Sequence, residues 1–421
     1  ISAFSGESLK QNRIFNVSDL AASTASISFT AGNSPLDQEI NIRGITNTRL
    51  DSPAAEAAVG QFVDEIYIGR TGGMNADYFD IERIEVIRGP QGVLLGKSVV
   101  GGALSIITAK PEFETSGELG ISLGNFDSQQ ISGHVTGALS DNWAGRISLQ
   151  TRNHDGYARD VLHDRDLEDL ESTQLRAQIM NEPSADGWSA RLIADYSKTS
   201  SNGISVVSVS DGQTGGFRPR PWSQMRAFLG LTDPRVSVPE ETLYAGDSAP
   251  LNQFLSKETA GLTVHLDKEF ENFTFSSVTG YRGARTRSLY DQTGGGPDVF
   301  DDPDTFGVTF DDFLAFDATA ATFFFSEPVR EDSDISAFSQ EFRLTSSGDS
   351  NVDWIAGVFF KNDQIDKFDR FVGEGNSGAL PTLSGESHWL NEGDNTNIGV
   401  FGQVGYRFSE KVKLSVGARW T

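Results

Sequence analysis

In successive runs from Gly117 onward, apolar and polar residues alternate with a period of two, and this alternation limits the possible folds more than any other feature. In the last run, for example, the polar residue Lys413 lies between the apolar residues Val412 and Leu414, and the apolar Val416 follows two positions later. The pattern predicts β-strands with one apolar and one polar face. Two architectures fit it: a soluble sandwich whose apolar face packs on a second sheet, and an outer-membrane barrel whose apolar face meets lipid.

The connections between these runs favour the barrel. We count about eleven strand-like runs, the last three near 352–366, 396–409 and 412–421, and their connections alternate between short turns and long loops. Membrane barrels have short turns on one side and long loops on the other, whereas such long loops are uncommon in a compact soluble domain. Aromatic residues at strand ends beside short turns resemble an interfacial girdle. They are Trp143, Trp188, Phe270, Phe273, Trp354, Tyr406, Phe408 and Trp420.

Residues 1 to about 110 lack the alternation and predict a separate compact α+β domain. The sequence from Asn16 predicts a short helix with Ser18 or Asp19 as its N-cap. The segment 59–68 predicts a bent strand or a pair of strands.

A glycine-rich stretch closes this first domain. Five glycines fall within residues 87–102, between two apolar β-branched runs, which predicts two strands joined by a tight loop. The end of a phosphate-binding loop is suggested by residues 96–98, but Gln91 stands where that motif needs glycine, and no helical pattern follows. A glycine-rich turn of an ordinary β protein remains an alternative. If Gly92 has a positive φ, valine at this position should disturb the packing of the loop.

Composition excludes several classes of function. The 421 residues carry a net charge of −25 and no cysteine, which argues against nucleic acid as a partner and excludes disulfides and thiolate sites. No apolar run approaches the ~18–20 residues of a membrane helix. The five histidines are scattered, and neither HExxH nor GxSxG occurs, so neither a catalytic metal nor a serine nucleophile has support.

Residues 79–92, FDIERIEVIRGPQG, closely resemble the plug-domain signature of TonB-dependent outer-membrane receptors. The segment 41–45 resembles the family's first IRG element. The segment 63–68 resembles its VDGV-Y strand, with Glu65 in place of the usual glycine. Members often have GRN where this chain has GKS at 96–98. The signature positions are Arg43, Gly44, Arg88, Gly89, Pro90, Gln91, Gly92, Gly96, Gly101 and Gly102.

The resemblance implies an α+β plug domain over residues 1–112, followed over 113–421 by the N-terminal half of an antiparallel transmembrane β-barrel. Barrels of this family have about 22 strands, so about eleven would be present. In such a barrel one face of each strand meets lipid and the other lines the lumen. The expected lipid-facing residues are Leu149, Leu262, Val264, Leu414 and Val416, and the expected lumen-facing residues are Arg146, Arg176 and Arg419.

The resemblance also implies a transporter rather than an enzyme, without cofactor or metal site, in the outer membrane of a Gram-negative bacterium. The implied function is active, ligand-gated import of a scarce nutrient, by family frequency a ferric siderophore. Cobalamin, haem or an oligosaccharide are alternative cargoes, and a passive porin or an adhesin is the alternative class. The expected partners are an iron chelate, outer-membrane lipid, and the TonB–ExbB–ExbD complex, which grips a box expected upstream of Ile1.

Glu82, Glu85 and Arg88 are candidates for polar contacts between plug and barrel, which can break at modest cost in a wet interface. Solvation, or pairing within the plug, fits each of them equally well.

Two further groups are candidates for ligand binding. The acidic segment 301–317 lacks calcium-loop spacing, so a solvated loop is favoured over a cation site. His163 and His388 fall in predicted outer loops, where haem capture would need a histidine, but a lone loop histidine is more often simply exposed. No residue can be assigned to the substrate.

Overall fold

The computed structural model describes residues 2–31, 38–45, 57–68, 78–90, 92–95, 99–160, 165–183, 187–203, 245–246, 253–291, 328–348, 350–375 and 383–421. They form an N-terminal domain and one large antiparallel sheet, as the sequence predicts. Within these residues, no helix is both long enough and apolar enough to cross a membrane.

The N-terminal domain combines short helices with a five-stranded sheet. Its elements are β1 (Ser2–Ser5), α1 (Gly6–Gln11), α2 (Val17–Ser23), β2 (Ile27–Ala31), β3 (Gln38–Ile42), β4 (Val59–Val63), β5 (Ile66–Tyr67), β6 (Ile81–Arg88), α3 (Gly92–Leu95) and β7 (Gly102–Thr108). The strand order is β1-β6-β7-β4-β5, with β4 and β7 parallel. The two strands predicted around the glycine-rich stretch are confirmed, because β6 and β7 are antiparallel neighbours. Their connection contains α3, and residues 91 and 96–98 of it lie outside the described residues. The segment 59–68 is the hairpin β4–β5.

The predicted helix α2 exists, but its predicted N-cap is wrong. The cap is Asn16, whose side-chain oxygen accepts the backbone N–H of Asp19 at 2.9 Å. The Asp19 carboxylate accepts the backbone N–H of Asn16 in return at 3.2 Å. In this reciprocal capping box Asp19 is the third residue of the helix, and from there its acidic side chain reaches back to the backbone N–H of the N-cap residue. Val17 and Leu20 then face the core.

The core of the N-terminal domain lies between its sheet and the helices. Ile84 and Val86, on one face of β6, are fully buried at its centre. Burial of such side chains stabilises the fold by roughly 1.5–3 kcal/mol each. The buried cluster consists of Leu9, Ile14, Val17, Leu20, Ile40, Ile42, Val59, Tyr78, Ile84, Val86, Leu104 and Ile106.

The large sheet contains eleven strands, each hydrogen-bonded to the next along the chain. A small three-stranded side sheet, made of residues 158–160, 165–167 and 245–246, lies in the connections. The elements are β8 (Ser116–Leu123), β9 (Gln129–Ser140), β10 (Trp143–His154), β11 (Ala158–Asp160), β12 (Arg165–Leu167), β13 (Leu170–Asn181), β14 (Trp188–Ser201), β15 (Ala245–Gly246), β16 (Phe254–Glu269), β17 (Phe273–Asp291), β18 (Pro328–Ser346), β19 (Val352–Gly375), β20 (Leu383–Ser409) and β21 (Val412–Trp420). The sheet stays open, with β8 and β21 at its edges.

The sheet curves around the N-terminal domain. Glu118 on β8 pairs with Lys10 of that domain, and Gly417 on β21 lies against Val93 of α3. Ten inter-strand spacings separate these two edge strands, about 48 Å in a flat sheet. A domain of this size touches both edges only if the sheet wraps around it.

The two faces of the sheet follow the predicted alternation. Leu149, Leu262, Leu414 and Val416 are exposed on the outer face, and Val264 is half-buried there. The inner face carries the polar side chains that meet the N-terminal domain. Arg146 and Arg176 are buried in that contact, and Arg419 is half-buried over the rings of Phe359 and Phe401.

Aromatic side chains gather at the end of the sheet that has the short turns. The rings of Phe270 and Phe273 stack at 4.6 Å, Phe273 lies 6.4 Å from Trp354, and Tyr406 lies 4.7 Å from Phe408. Trp420 is an exception, because it pairs with Val400 in the body of the sheet and not beside a turn.

Candidate functional site: the interface between the N-terminal domain and the large sheet

Three acidic residues of the N-terminal domain face the large sheet from turns. Asp64 and Glu65 form the turn between β4 and β5, and Asp80 immediately precedes β6. All three have left-handed backbones, with φ of 46°, 67° and 50°. This conformation costs a residue with a side chain roughly 1–2 kcal/mol, and Asp tolerates it better than most because its short polar side chain can hydrogen-bond locally. Local strain thus accompanies each carboxylate that the domain presents to the sheet.

Asp80 binds two side chains of β10. The Nε of Arg146 donates to Oδ2 of Asp80 at 2.9 Å, and the Arg146 Nη2 and the Ser148 hydroxyl also donate to this carboxylate. The side chains of Arg146 and Asp80 are only 6% and 7% exposed. On β13, Arg176 donates to the carbonyl oxygen of Phe79 at 3.0 Å and lies over the Phe79 ring.

The charge of Asp80 is favoured at this position. Burial raises the pKa of the Asp80 carboxyl, but the hydrogen bonds from Arg146 and Ser148, together with the charges of Arg146 and Arg176, outweigh burial and hold this pKa below its usual range. The carboxylate therefore stays ionised and paired through the neutral pH range.

Asp64 forms the second contact and is almost fully buried. Its carboxylate accepts the backbone N–H and the hydroxyl of Thr108 at 3.1 and 2.8 Å. Arg191 of β14 reaches the same carboxylate at 3.5 Å and donates to the Thr108 hydroxyl at 2.8 Å. Gln178 accepts from Arg191 at 2.7 Å and donates to the carbonyl of Ala109 at 2.9 Å. The network ties the end of β7 to two strands of the sheet.

Glu65 forms a third, more exposed contact. Its carboxylate accepts from Nη2 of Arg343 on β18 at 2.8 Å, and Nη1 of Arg343 donates to Glu341 at 3.2 Å. About half of the Glu65 side chain is exposed, so the pair is weaker than the two buried contacts.

The next residue of the same turn fits against a glycine of the sheet. A Cβ at Gly280 of β17 would lie 2.5 Å from the Ile66 side chain, so only glycine leaves room for Ile66 at this point. Ile66 is itself buried. The segment 64–66, the turn and the first residue of β5, therefore contacts the sheet through two polar groups and one apolar group.

The three arginines that pair with these carboxylates, Arg146, Arg191 and Arg343, lie at the same end of the sheet. Arg146 and Arg191 are three residues past the tryptophans that begin β10 and β14, and Arg343 is three residues before the end of β18. These strand ends adjoin the short turns. The polar contacts thus form an arc along one rim of the sheet.

The predicted contact residues lie elsewhere in the N-terminal domain. Glu82 and Glu85 each pair with the neighbouring Arg83, and Arg88 donates to the carbonyl of Ala25. These contacts are internal to the domain, so a role of the three charges toward the barrel stays a prediction.

The structural reason for glycine differs among the signature positions. Gly102 has φ +144°, and a Cβ there would lie 2.2 Å from the carbonyl oxygen of Ile87. Gly44 and Gly89 have φ of 76° and 93°. Gly92 begins α3 without a positive φ and with nothing within 4 Å of an added Cβ, so the condition for its predicted sensitivity is not met.

The remaining signature positions lie around the same turns. Arg43 has a left-handed backbone with φ 56°. A Cβ at Gly101 would lie 3.3 Å from Ile45, and Pro90 is exposed. Gln91 and Gly96 lie outside the described residues.

The other ligand candidates are only partly placed. The segment 301–317 and His163 lie outside the described residues, and His388 lies within β20, 5.6 Å from the ring of Phe368, instead of in a loop. Among the described residues, no group of His, Asp or Glu side chains is arranged to hold a metal ion.

Sequence reasoning did not identify Asp64, Asp80, Arg191 and Arg343 as interface residues. A signal for part of the set exists in the sequence, because tryptophan followed three positions later by arginine occurs at both 143–146 and 188–191. The acidic partners Asp64, Glu65 and Asp80 lie in the segments 63–68 and 79–92, but nothing in those segments distinguishes them from acidic residues such as Glu82.

Comparison with known proteins supplies the context for this interface. The family model of the TonB-dependent Receptor Plug Domain matches residues 1–103. A ferrioxamine receptor of Yersinia enterocolitica is 28% identical over 207 residues, which cover 43% of this chain and 28% of that protein. The vitamin B12 transporter BtuB of Photobacterium profundum is 30% identical over 142 residues, 34% of this chain and 23% of that protein. The matches thus span about a quarter of the curated relatives' length.

The fold is shared with solved structures across nearly the whole chain. The ferric yersiniabactin uptake receptor FyuA from Yersinia pestis superposes with a TM-score of 0.66 at 14% identity, covering 99% of this chain and 63% of that one. At this identity the likeness concerns the fold alone.

Proposed function

We propose that the chain belongs to the TonB-dependent outer-membrane receptors and that the protein of which it forms part imports a ferric siderophore into a Gram-negative bacterium. The relatives named for ferrioxamine support an iron chelate as cargo. The relative named for vitamin B12 supports cobalamin as the second candidate. The family consists of receptors and transporters, and we propose that this member, too, has no enzymatic activity and no resident cofactor.

In this proposal residues 1–112 are the plug and residues 113–421 are the N-terminal half of the barrel. The boundary falls in the connection between β7 and β8. The apolar outer face of the sheet contacts outer-membrane lipid. The signature positions belong to the plug, and we propose Glu82, Glu85 and Arg88 as residues that make polar contacts between plug and barrel.

The arc of arginines that binds Asp64, Glu65 and Asp80 carries the functional proposal. A plug that is seated by a few charged hydrogen bonds can be released in steps, because water replaces each lost partner as it breaks. Contacts of this kind suit a plug that is displaced under force and then returns to its position in the barrel. Energy for opening would come from the TonB–ExbB–ExbD complex of the inner membrane.

Uptake by intact cells tests the proposal. Cells that express the full-length protein are given radiolabelled ferric siderophores or labelled cobalamin, with and without a functional motor complex. We expect uptake of a ferric chelate that stops when the motor is absent. Equal uptake without the motor would identify a passive pore, and uptake of cobalamin alone would establish the second candidate.

A further inference from the structure

A histidine lies within the arc of arginines. His265 of β16 is the cross-strand neighbour of Arg191 on one side and of Val278 on the other. Val278 pairs next with Glu341, which lies two residues before Arg343 on β18. Residues that pair directly across neighbouring strands share one face of the sheet. His265 therefore occupies the position between the two arginines that contact the β4–β5 turn of the plug.

The plug covers this position. Ile66 lies against Gly280, which is two residues past Val278 and so on the same face of β17. The Nε2 atom of His265 is buried and has no hydrogen-bond partner among the described residues. A buried nitrogen without a partner costs less as the lone pair of a neutral imidazole than as the N–H of an imidazolium, because burial penalises charge most. With the plug in place, the site therefore holds a neutral imidazole.

The charged groups around His265 come from the plug and from the sheet. Arg191 opposes a second positive charge, whereas Asp64 and Glu65 of the plug and Asp267 of β16 favour one. The two plug carboxylates are already engaged by arginines of the arc, and Asp267 accepts a serine hydroxyl of β17 at 2.6 Å. An imidazolium would therefore have to share carboxylates that already have partners. Water can hydrate it freely once the turn withdraws from the sheet.

We propose that His265 makes the seating of the plug pH-sensitive: it stays neutral while the β4–β5 turn is in place and takes up a proton when the turn withdraws. The inference rests on the contact between plug and barrel wall and not on the cargo. A hydrated imidazole titrates near about pH 6.5. Because the withdrawn state binds the extra proton, acid shifts the equilibrium toward withdrawal. From about pH 7.5 to about pH 5.5, one such group raises the ratio of withdrawn to seated turn about tenfold.

Hydrogen–deuterium exchange of the full-length protein in detergent measures this shift, as amide protection factors from which the intrinsic pH dependence of exchange is removed. Because β5 is a two-residue edge strand of the plug sheet, the protection of residues 62–68 depends on its contact with the large sheet. On acidification over this range, the wild type should lose about tenfold more protection there than His265→Gln, which cannot take up the proton. His388→Gln, at an exposed position of β20, is the matched control and should respond as the wild type does. His134, the inner-face neighbour of Ser148, is present in all three proteins and cancels in the comparison.

A second measurement needs no substitution of the histidine. Exchange of the imidazole C2 hydrogen, followed by mass spectrometry, reports the titration of His265 itself. Ile66→Ala removes the side chain that lies against Gly280 without changing any charge, so the pH profile of this exchange should differ between the wild type and Ile66→Ala. Identical profiles, or an equal loss of amide protection in the wild type and His265→Gln, would overturn the inference. If no chelate is imported but both effects at His265 are present, the proposed cargo fails and this inference stands.

Discussion

Substitution of Asp80, which binds Arg146, is the strongest test of how the plug is held against the large sheet. Both side chains are less than a tenth exposed, and the carboxylate also accepts from Ser148. Removing one charge of a buried pair costs about 3–5 kcal/mol, because the other charge is left uncompensated. Asn at position 80 keeps a hydrogen-bonding group and tolerates the left-handed backbone. The cost of Asp80→Asn should therefore lie at the lower end of this range, near about 3 kcal/mol. A loss of about 3 kcal/mol shifts the ratio of seated to released plug by about a hundredfold.

Hydrogen–deuterium exchange of the full-length protein in detergent measures this shift. Asp80→Asn should accelerate exchange of the amides in 81–88, which lie directly behind the contact. Glu82→Gln is the matched control, because its pair with Arg83 is exposed and internal to the plug, and it should change exchange little. The double variant Asp80→Asn/Arg146→Met removes the stranded charge and should recover part of the protection. Unchanged exchange in Asp80→Asn would refute the assignment of this pair as a seat of the plug.

Four further outcomes follow from the same structure. Because the pKa of Asp80 is lowered, its contribution should be complete above pH ~4 and be lost as the pH falls through the folded-state pKa, so the unfolding temperatures of wild type and Asp80→Asn should converge only in acid. Gly102→Ala should cost more than about 2 kcal/mol of plug stability in urea unfolding because of its positive φ and the carbonyl 2.2 Å from the new Cβ, whereas Gly92→Ala should be nearly neutral. Leu149→Arg, on the exposed outer face, should cost about 2–4 kcal/mol of barrel stability in folding titrations into lipid vesicles. Glu65→Gly should change the unfolding free energy by less than about 1 kcal/mol, since relief of left-handed strain offsets the loss of a half-exposed ion pair, and a larger loss would show that this pair is stronger than its exposure indicates.

The sequence predicted those parts of the fold that depend on local pattern. Alternation predicted the strands and their two faces, and the glycine-rich stretch predicted the pair β6–β7. The predicted strand at 396–409 was too short, because β20 begins at Leu383. Residues 383–395 are mostly polar at both parities, as expected where a strand rises above lipid and meets water on both faces. Without an apolar face there is no alternation to detect.

The partners within the interface could not be predicted in the same way. Arg146 and Arg176 were expected on the inner face, but which groups of the plug meet them depends on how the plug sits in the sheet: a carboxylate for Arg146 and a backbone carbonyl for Arg176. The sequence separations show this: Asp80 and Arg146 are 66 positions apart, and Asp64 and Arg191 are 127 positions apart. Short-range periodicity carries no information on contacts at that distance. Glu82 and Asp80 both lie within the signature 79–92, so position in the signature could not separate the charge that pairs inside the plug from the one that faces the sheet.

Glu65 shows how one departure from the family pattern fits the interface. The usual residue at this position is glycine, which adopts a φ of 67° without strain, and Glu lacks the short side chain that eases this conformation for Asp. The strain is accepted together with an ion pair to Arg343 that glycine cannot form. The two effects are similar in size, so Glu65 adds little net stability. What it adds is a charged link between the plug and β18, on the far side of the arc from Asp80. In the motor-driven opening proposed above, a pull on the plug would break this link separately, so we expect the contribution of Glu65 to appear in the force or motor dependence of opening more than in equilibrium stability.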